Sequence, residues 1–587
     1  MSIPSSLLAG VALAQSADQS WRTLRTEHFR VHYPEAAAPW AEHAGARLES
    51  WHARVVAEVG WTPPKVIDAL VIDPYSDANG FALPFSTGPR TAWFTTPPDA
   101  ASSIANNRSW DEILIVHEDA HLAHLLRAPR NPAEKVAYQL FGLGPVTTKS
   151  PRWVIEGYAT VVEGRLTGSG RPNGDARATL LRNLAVRGEL PTYEALDANG
   201  DWAGGGYAYL VGSAYLEWLE ARAGAGSLRD LWVRLTSKQP RTFAEAFTGV
   251  FGDAPDVLYR RFCAEITASA VATDRADPPD TAPFQRLGWT VAALDVSPAG
   301  DRVAVARFPR KGLPKIEVYA VAVDAEVVAE QVEAAEERAE RDPEDIADRV
   351  VAEPHERVAS RTSAGRAARD LRWSADGAAL LYAGWTRDSS GRLRSDLFRW
   401  TIDGSTERLT RNADLRSPDP GPDGSWAVAV RTDWGLTQIV QVDLATGAVT
   451  ELTPLSVTQV DGPRVSPDGA RVAWLENRDG GFGVVVLDRA TGRSWVQAPE
   501  PGGLTTYSLA WSADGRSLYG TAGADGFVEL YELQRDGARG QGRLTATGGT
   551  AFAADPIDAA SALVLDPSRG GLDLRRAPLA PRPEVTA

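Results

Sequence analysis

Residues 466–475 read Ser-Pro-Asp-Gly-Ala-Arg-Val-Ala-Trp-Leu, a tight turn followed by a strand of alternating apolar residues. A second apolar run and a Thr-Gly turn follow within the same unit, at residues 484–492. A unit of about 45 residues with four short strands is typical of a β-propeller blade. The first turn recurs along the C-terminal half of the chain, at residues 297–300, 374–377, 421–424, 466–469, 512–515 and, in degenerate form, near 554–558. The six turns therefore predict six blades.

The composition changes at a polar, proline-rich segment, residues 272–283, which we interpret as a linker. Residues 20–271 mix short β-rich segments with longer helical ones and are expected to form a separate domain. Residues 284–587 hold the repeats, and an acidic, helix-prone insert at about 324–369 lengthens the first of them. The stretch at 284–288 resembles the ends of other outer strands, so we expect it to close the ring near residues 572–575.

The composition also excludes several classes of function. A formal net charge of −15 argues against nucleic-acid binding, because phosphate contacts need clustered Lys and Arg. Cys263 is the only cysteine, so an internal disulfide and a thiolate metal site are both excluded. Any metal must therefore be held by His and carboxylate side chains.

Residues 1–19 resemble a signal peptide, with a short apolar run that ends in Ala-Leu-Ala at 12–14 but lacks a basic region before it. This pattern indicates export to the periplasm or the extracellular space. No other apolar run approaches the roughly 20 residues that span a bilayer, so no transmembrane segment is expected.

The chemical signature of the N-terminal half is the motif His117-Glu118-x-x-His121. Ser109 and Glu112 predict a capping box that begins a buried helix just before it. Positions four apart lie on one helix face, so the two imidazoles can bind one cation. Glu118 then lies beside the cation, where it can take a proton from an attacking water and pass it to a leaving amine.

A catalytic zinc needs a third protein ligand and one open position. Residues 151–163 read Pro-Arg-Trp-Val-Ile-Glu-Gly-Tyr-Ala-Thr-Val-Val-Glu. Together with the histidine motif, this segment resembles the gluzincin metallopeptidases of peptidase clan MA, whose second helix carries W-x-x-E-G-x-A. The resemblance implies one catalytic Zn²⁺, Glu156 as its third ligand, and Glu163 as a carboxylate that supports a zinc-bound His. A metzincin would need His at position 127, which is Arg127.

Gluzincins also carry a Tyr-x-x-Gly on a later helix, with the phenol directed at the tetrahedral oxyanion. Residues 209–212, Tyr-Leu-Val-Gly, match this pattern and imply that Tyr209 has that role. Tyr207 is the alternative, and core packing of a tyrosine-rich helix is a third interpretation.

His124, seven residues after His117, is expected on the same helix face, either to help bind substrate or as a hydrogen-bonded structural residue. Asp119 departs from the family, which has uncharged residues at this place, but a helix turns it about 200° away from His117. Upstream, residues 77–82 are interpreted as a turn and residues 91–96 as an edge strand. The resemblance implies that such a strand lines the cleft and pairs with an extended substrate.

The sequence as a whole predicts a multidomain α+β protein, in which a zincin-type mixed α/β domain with a helical C-terminal part precedes an all-β six-bladed propeller. The propeller half resembles TolB-like propellers, which implies recognition of a substrate or a protein partner. The leading hypothesis is an exported zinc peptidase, and the absence of Gly-x-Met-Glu-Asn favours an endopeptidase over an aminopeptidase. The alternative is a non-catalytic binding or scaffold protein with an inactive zincin domain. A serine-type propeller hydrolase would need a Gly-x-Ser-x-Gly motif, which the sequence lacks.

Overall fold

The structure is a computed structural model that describes residues 19–582, except 199, 201, 204, 277, 346–353, 363–367, 390, 403, 479, 497–503, 525 and 569. The signal-like segment predicted at the N-terminus lies outside the described residues, apart from its last residue.

The N-terminal part begins with strands β1 (Trp21–Arg25), β2 (Phe29–Pro34), β3 (Ile67–Ile72), β4 (Gly80–Leu83) and β5 (Arg90–Phe94). Within the described residues they form one mixed sheet in the order β1-β2-β3-β5-β4. The three central strands are parallel, whereas β1 and β4 are antiparallel to their neighbours. The expectation that residues 91–96 form an edge strand is therefore wrong: β5 is internal, and the edge strand is β4, which begins inside the predicted turn.

The helical part covers the sheet and continues to the propeller. Its helices are α1 (Ala38–Gly45), α2 (Leu48–Val59), α3 (Trp110–Leu125), α4 (Pro132–Phe141), α5 (Pro145–Lys149), α6 (Arg152–Thr167), α7 (Asp175–Val186), α8 (Tyr207–Ala223), α9 (Ser227–Leu235), α10 (Phe243–Phe251) and α11 (Pro255–Ala276), with short 3₁₀ turns at Glu35–Ala37, Arg171–Asn173 and Glu194–Asp197.

Helix α3 is the central element of this part. Ile113, Leu114 and Leu122 pack in the core shared with the sheet. Val116 and Ala120 pack in a second core formed by α6, α8 and α9. All of its residues are buried, as the sequence predicted, because the helix has an apolar core on each side.

The C-terminal part forms, within the described residues, six four-stranded antiparallel sheets. In chain order the strands are β6 (Ala282–Gln285), β7 (Thr290–Val296), β8 (Arg302–Phe308), β9 (Lys315–Val323), β10 (His355–Thr362), β11 (Arg369–Trp373), β12 (Ala379–Arg387), β13 (Leu393–Thr401), β14 (Thr406–Arg408), β15 (Leu415–Pro420), β16 (Trp426–Asp433), β17 (Leu436–Asp443), β18 (Val449–Glu451), β19 (Val460–Val465), β20 (Arg471–Arg478), β21 (Gly481–Asp488), β22 (Ser494–Val496), β23 (Thr505–Trp511), β24 (Ser517–Ala524), β25 (Phe527–Arg535), β26 (Ala538–Arg543), β27 (Ala554–Pro556), β28 (Ser561–Ser568) and β29 (Gly571–Pro578).

The predicted turns join the first and second strands of the blades. Gly469 and the equivalent glycines of the other turns have a positive φ, a backbone conformation that glycine adopts without strain. The ring closes because β6 supplies the outer strand of the last blade, with Leu574 opposite Gln285. Closure by this segment was predicted, and the pairing lies at 282–285 rather than 284–288.

Among its described residues, the insert in the first blade contains an exposed helix, α12 (Ala325–Arg341). The expected extent of the insert, 324–369, is too long, because β10 belongs to the blade as its outer strand. Asp324 caps α12 with its side chain, which accepts from the backbone N–H groups of Glu326 and Val327.

The segment between β5 and α3, residues 95–108, enters the central channel of the propeller. A cavity of about 310 Å³ is lined by residues from the first strand of every blade and by Asp99, Ala101 and Ser102 of this segment. The backbone N–H of Ala100 donates to Asp461, at 2.6 Å. The chain therefore occupies one mouth of its own propeller, which fixes α3 relative to the blades.

Candidate metal centre

The histidine motif lies on α3, where the structure brings both histidines to the same place. Helix α3 begins at Trp110, with Ser109 at the N-cap position, as the sequence predicted. The predicted capping box does not form, because the side chain of Ser109 makes no cap hydrogen bond and instead accepts from Arg47, at 3.4 Å. The helix start is therefore fixed by burial of α3 rather than by a local cap.

Helix α6 carries Glu156, and α8 crosses α6 at very short range. A Cβ atom on Gly157 would lie 2.8 Å from the backbone of Gly212, and one on Gly212 would lie 2.7 Å from the carbonyl oxygen of Trp153. The two glycines of the sequence patterns therefore permit the helices to approach, which brings Tyr209 of α8 towards the histidines.

Three side-chain atoms converge between α3 and α6. Nε2 of His117 and Nε2 of His121 lie 3.2 Å apart. Oε2 of Glu156 lies 3.1 Å from Nε2 of His121 and 3.8 Å from Nε2 of His117. These are the atoms that the resemblance assigned to a metal, and the structure brings all three together.

The spacing of these atoms fits a zinc ion. Ligands about 2.0–2.1 Å from a tetrahedral zinc lie about 3.3–3.4 Å from one another, close to the three distances above. Two imidazoles and one carboxylate are also a common donor set for catalytic zinc. Burial disfavours the charged form of His117, but the adjacent carboxylates of Glu156 and Glu163 outweigh it and raise its pKa to about 9, so a cation at this place competes with a proton.

Glu163 binds the ring nitrogen of His117 that points away from Glu156, as the resemblance implied. Nδ1 of His117 donates to Oε2 of Glu163, at 2.9 Å. The carboxylate also accepts from the backbone N–H of Arg171, at 2.8 Å, and from its guanidinium, at 2.6 Å. Burial would raise the pKa of Glu163, but the Arg171 charge and these hydrogen bonds lower it. An ionised Glu163 fixes the tautomer of His117 that leaves Nε2 free to bind a metal.

Glu118 is buried beside the three ligand atoms, and its Oε2 has no hydrogen-bond partner among the described residues. Burial raises the pKa of this carboxyl group. The edge strand β4 runs next to it, and a Cβ on Gly80 would lie 3.3 Å from Oε1 of Glu118 and 2.3 Å from Leu114. Glycine at this position therefore lets the strand edge approach Glu118.

Tyr209 lies at the site, against the ring of His117. The ring of Tyr209 stacks on His117 with centroids 6.0 Å apart, whereas Tyr207 is buried in the helical core. The guanidinium of Arg171 lies 4.8 Å from the Tyr209 ring, and that of Arg152 lies 5.2 Å from it. Burial raises the pKa of Tyr209, so the phenol stays protonated and able to donate.

His124 is fully buried away from solvent. Its Nδ1 donates to the carbonyl oxygen of Ala120, at 2.5 Å, and its ring stacks on Trp232 at 5.1 Å. Burial lowers its pKa to about 3, so the ring is neutral. The structure thus places His124 as a packed, hydrogen-bonded residue and not at a surface that a substrate reaches.

Asp119 points away from the ligand atoms, as helical geometry predicted. Its Oδ2 accepts from Nδ1 of His52 on α2, at 2.8 Å, and both side chains are buried. The charged residue that departs from the family pattern therefore has its own partner. No pattern in the sequence marks this pair, because His52 lies far from Asp119 along the chain.

Arg171 lies in the same cluster, and no sequence pattern predicted it there. It contacts both Glu163 and the ring of Tyr209, and so joins the support of His117 to the phenol. A turn through Gly168 and Gly170, both with positive φ, folds the chain back onto α6 and brings Arg171 there. No motif marks this residue, since its position depends on that turn.

No protein-family model matches the chain, and no curated protein matches it. Among solved structures, the chain is similar to a putative TolB from Agrobacterium tumefaciens, with 16% identity and a TM-score of 0.33 over 49% of this chain and 90% of that chain. For TolB from Acinetobacter baumannii, the identity is 15% and the TM-score 0.29, over 56% of this chain and 71% of that one. A structure from a study of two prolyl endopeptidases has 14% identity and a TM-score of 0.30, over 50% of this chain and 43% of that chain, less than half its length. The six-bladed architecture rests on the strand pairing described above.

Proposed function

We propose that the chain is a zinc-dependent peptidase that hydrolyses peptide bonds in the periplasm or outside the cell. One observation carries the proposal: His117, His121 and Glu156 converge at zinc-like spacing beside the buried carboxyl group of Glu118. Zinc, when bound, supplies a Lewis acid that polarises a scissile carbonyl and acidifies a water.

The side chains around this position have complementary roles in peptide hydrolysis. Glu118 accepts the proton of the attacking water, because burial raises its pKa and makes it a stronger base, and it then delivers the proton to the leaving amine. The phenol of Tyr209 donates a hydrogen bond to the oxygen on which negative charge develops. Arg152 and Arg171 hold the phenol ring in place from its faces.

The edge strand β4 supports a peptide as the substrate. It is the last strand of the sheet, and its half-buried residues run past Glu118. An extended peptide can add to such an edge through its main chain, which favours an endopeptidase that accepts chains continuing on both sides of the cleaved bond. In this proposal the propeller holds the catalytic part through residues 95–108 and offers its remaining surface to a substrate or a protein partner.

A single pair of variants tests the mechanism. Glu118→Gln keeps the shape of the base but removes its proton affinity, so we expect peptide cleavage to fall by at least about 10³-fold while metal analysis still finds about one zinc per chain. Glu112→Gln is the matched control, because Glu112 is buried on the same helix but lies outside the histidine motif and the cluster of His117, His121 and Glu156. Casein and a quenched-fluorescent peptide library serve as substrates, with and without a chelator.

The same measurement separates the enzyme from the scaffold alternative. A protein that binds zinc stoichiometrically but cleaves none of these substrates, with or without added zinc, would support the non-catalytic hypothesis. Full activity in Glu118→Gln would show that the proposed base is wrong.

A further inference from the structure

Helix α4 turns its apolar face towards solvent. Ala133, Val136, Ala137, Leu140 and Phe141 follow the spacing i, i+3, i+4, i+7, i+8, which places them on one face. All five are exposed, with exposed fractions of 55% for Val136, 71% for Leu140 and 72% for Phe141. A surface helix normally packs such a face against its core, so this orientation requires an explanation.

The opposite side of α4 is what fixes the helix to the protein. Tyr138 is buried, and its hydroxyl group donates to the carbonyl oxygen of Leu126, at 2.7 Å. Asn131 caps the helix start by accepting from the N–H groups of Ala133 and Glu134. The helix is thus held in the orientation that exposes its apolar residues.

Neighbouring segments extend the exposed apolar face. The backbone N–H of Ser86 donates to the carbonyl oxygen of Gly142, at 2.8 Å, which brings Phe85 beside the end of α4. Lys65 donates to the carbonyl oxygen of Thr87, at 3.1 Å, and so attaches the segment before β3. We call the exposed apolar side chains of these segments the apolar ridge, and it comprises Val66, Phe85, Val136, Leu140 and Phe141.

The ridge lies among basic residues in a chain whose net charge is −15. Three segments carry it, residues 60–67, 83–94 and 126–152, and within them Glu134 is the only acidic residue, paired with Lys149 at 2.6 Å. Asp68, the next residue of β3, lies opposite Arg90 in the sheet and is paired with Arg30. The basic residues of these segments are Lys65, Arg90, Arg127, Arg130, Lys135, Lys149 and Arg152, of which Lys149 is paired with Glu134 and Arg152 contacts Tyr209 at the candidate metal centre. This local reversal of charge makes the surface complementary to an anionic partner.

We propose that the apolar ridge docks the protein onto a membrane surface that contains anionic phospholipid. Leu140 and Phe141 are more than two-thirds exposed, so they protrude into solvent and do not line a groove for a peptide. A side chain that inserts into a membrane must protrude in this way. Leu and Phe on one face of a helix with Lys and Arg beside them is the composition of helices that lie in the lipid headgroup region. The rest of the acidic chain is repelled by such a surface, so the ridge sets the orientation. This inference is independent of the chemistry proposed for the metal centre.

The test is co-sedimentation of the full chain with vesicles of phosphatidylcholine alone or with about 30% phosphatidylglycerol. We expect binding to the anionic vesicles that weakens as salt is raised. The double variant Leu140→Ser/Phe141→Ser should lose at least about tenfold in vesicle affinity, since two large apolar side chains no longer insert. The matched control is Leu455→Ser/Val457→Ser, because these residues are exposed on the propeller, away from the ridge.

A charge-reversing variant, Lys135→Glu/Arg90→Glu, tests the electrostatic part without altering the apolar residues, and it should also weaken binding to anionic vesicles. The proposal is overturned if the unaltered protein does not bind anionic vesicles, or if both serine double variants bind equally well. It is also overturned if light scattering shows a dimer that only Leu140→Ser/Phe141→Ser dissociates, since the ridge would then join two copies of the chain.

Discussion

Replacing Asp99 gives the clearest test of how the N-terminal part and the propeller are held together. Its carboxylate accepts from the guanidinium groups of Arg369 and Arg416, which belong to the first strands of neighbouring blades. Burial would raise the pKa of Asp99, but the two Arg charges lower it. The contact therefore joins a loop of the N-terminal part to two blades at once.

The loss in free energy of unfolding caused by Asp99→Ala depends on which acidic partners the two arginines keep. Removing one partner of a buried ion pair costs about 3–5 kcal/mol, because the other charge stays buried. Arg416 is only 4% exposed but keeps Asp461 at 3.3 Å, and Arg369 keeps Asp77 at 3.7 Å. We therefore expect a loss of about 2–3 kcal/mol, below the full penalty.

Urea unfolding, followed by circular dichroism and tryptophan fluorescence, measures this loss in the first transition. The control is Arg516→Ala, which removes an exposed ion pair with Asp536 and should cost less than about 0.5 kcal/mol. Release of the loop should also speed tryptic cleavage after Arg108, an exposed residue just before α3. If Asp99→Ala costs no more than the control, the loop does not hold the two parts together and the reasoning is refuted.

Three further predictions concern the metal centre and the propeller channel. Glu163→Gln should weaken zinc binding about 10–100-fold in competition with a chromophoric chelator, because His117 loses its carboxylate partner; unchanged affinity would contradict that role. Tyr209→Phe should lower kcat about 10²-fold with zinc content and KM nearly unchanged, and an equal rise in KM would instead point to substrate binding. Burial raises the pKa of Asp419 in the channel to about 7. Between about pH 4 and 7 the folded state therefore binds more protons than the unfolded chain, so the contribution of Asp419 to stability falls as pH rises through that window. Asp419→Asn can still accept from the backbone N–H of Val465, and it should flatten the pH dependence of stability between about pH 4 and 7; an unaltered slope would exclude Asp419 as its source.

The local patterns of the sequence predicted the elements that depend on near neighbours. The turns at 297–300, 374–377, 421–424, 466–469 and 512–515 were recognisable because a tight turn needs glycine at a positive φ within four residues. The pair His117 and His121 was recognisable because four residues of helix bring two side chains to one face. In both cases the chemistry is decided by bonds and dihedral angles inside a single element.

Features that join distant segments had no such signature. The sequence could not show that β4, rather than β5, forms the sheet edge, because strand order depends on pairing between segments far apart. The same holds for the return of Arg171 to Glu163, the pair of His52 with Asp119, and the entry of residues 95–108 into the propeller channel.

The sequence by itself therefore determined the repeat, the helix that carries the histidines and the residue types able to bind a metal. Only the tertiary structure decided that Glu156 lies within about 4 Å of both histidine nitrogens, that Glu118 is buried beside them, and that the apolar face of α4 is exposed. The physical reason is that burial and proximity are properties of packing, and packing is settled by all the elements together.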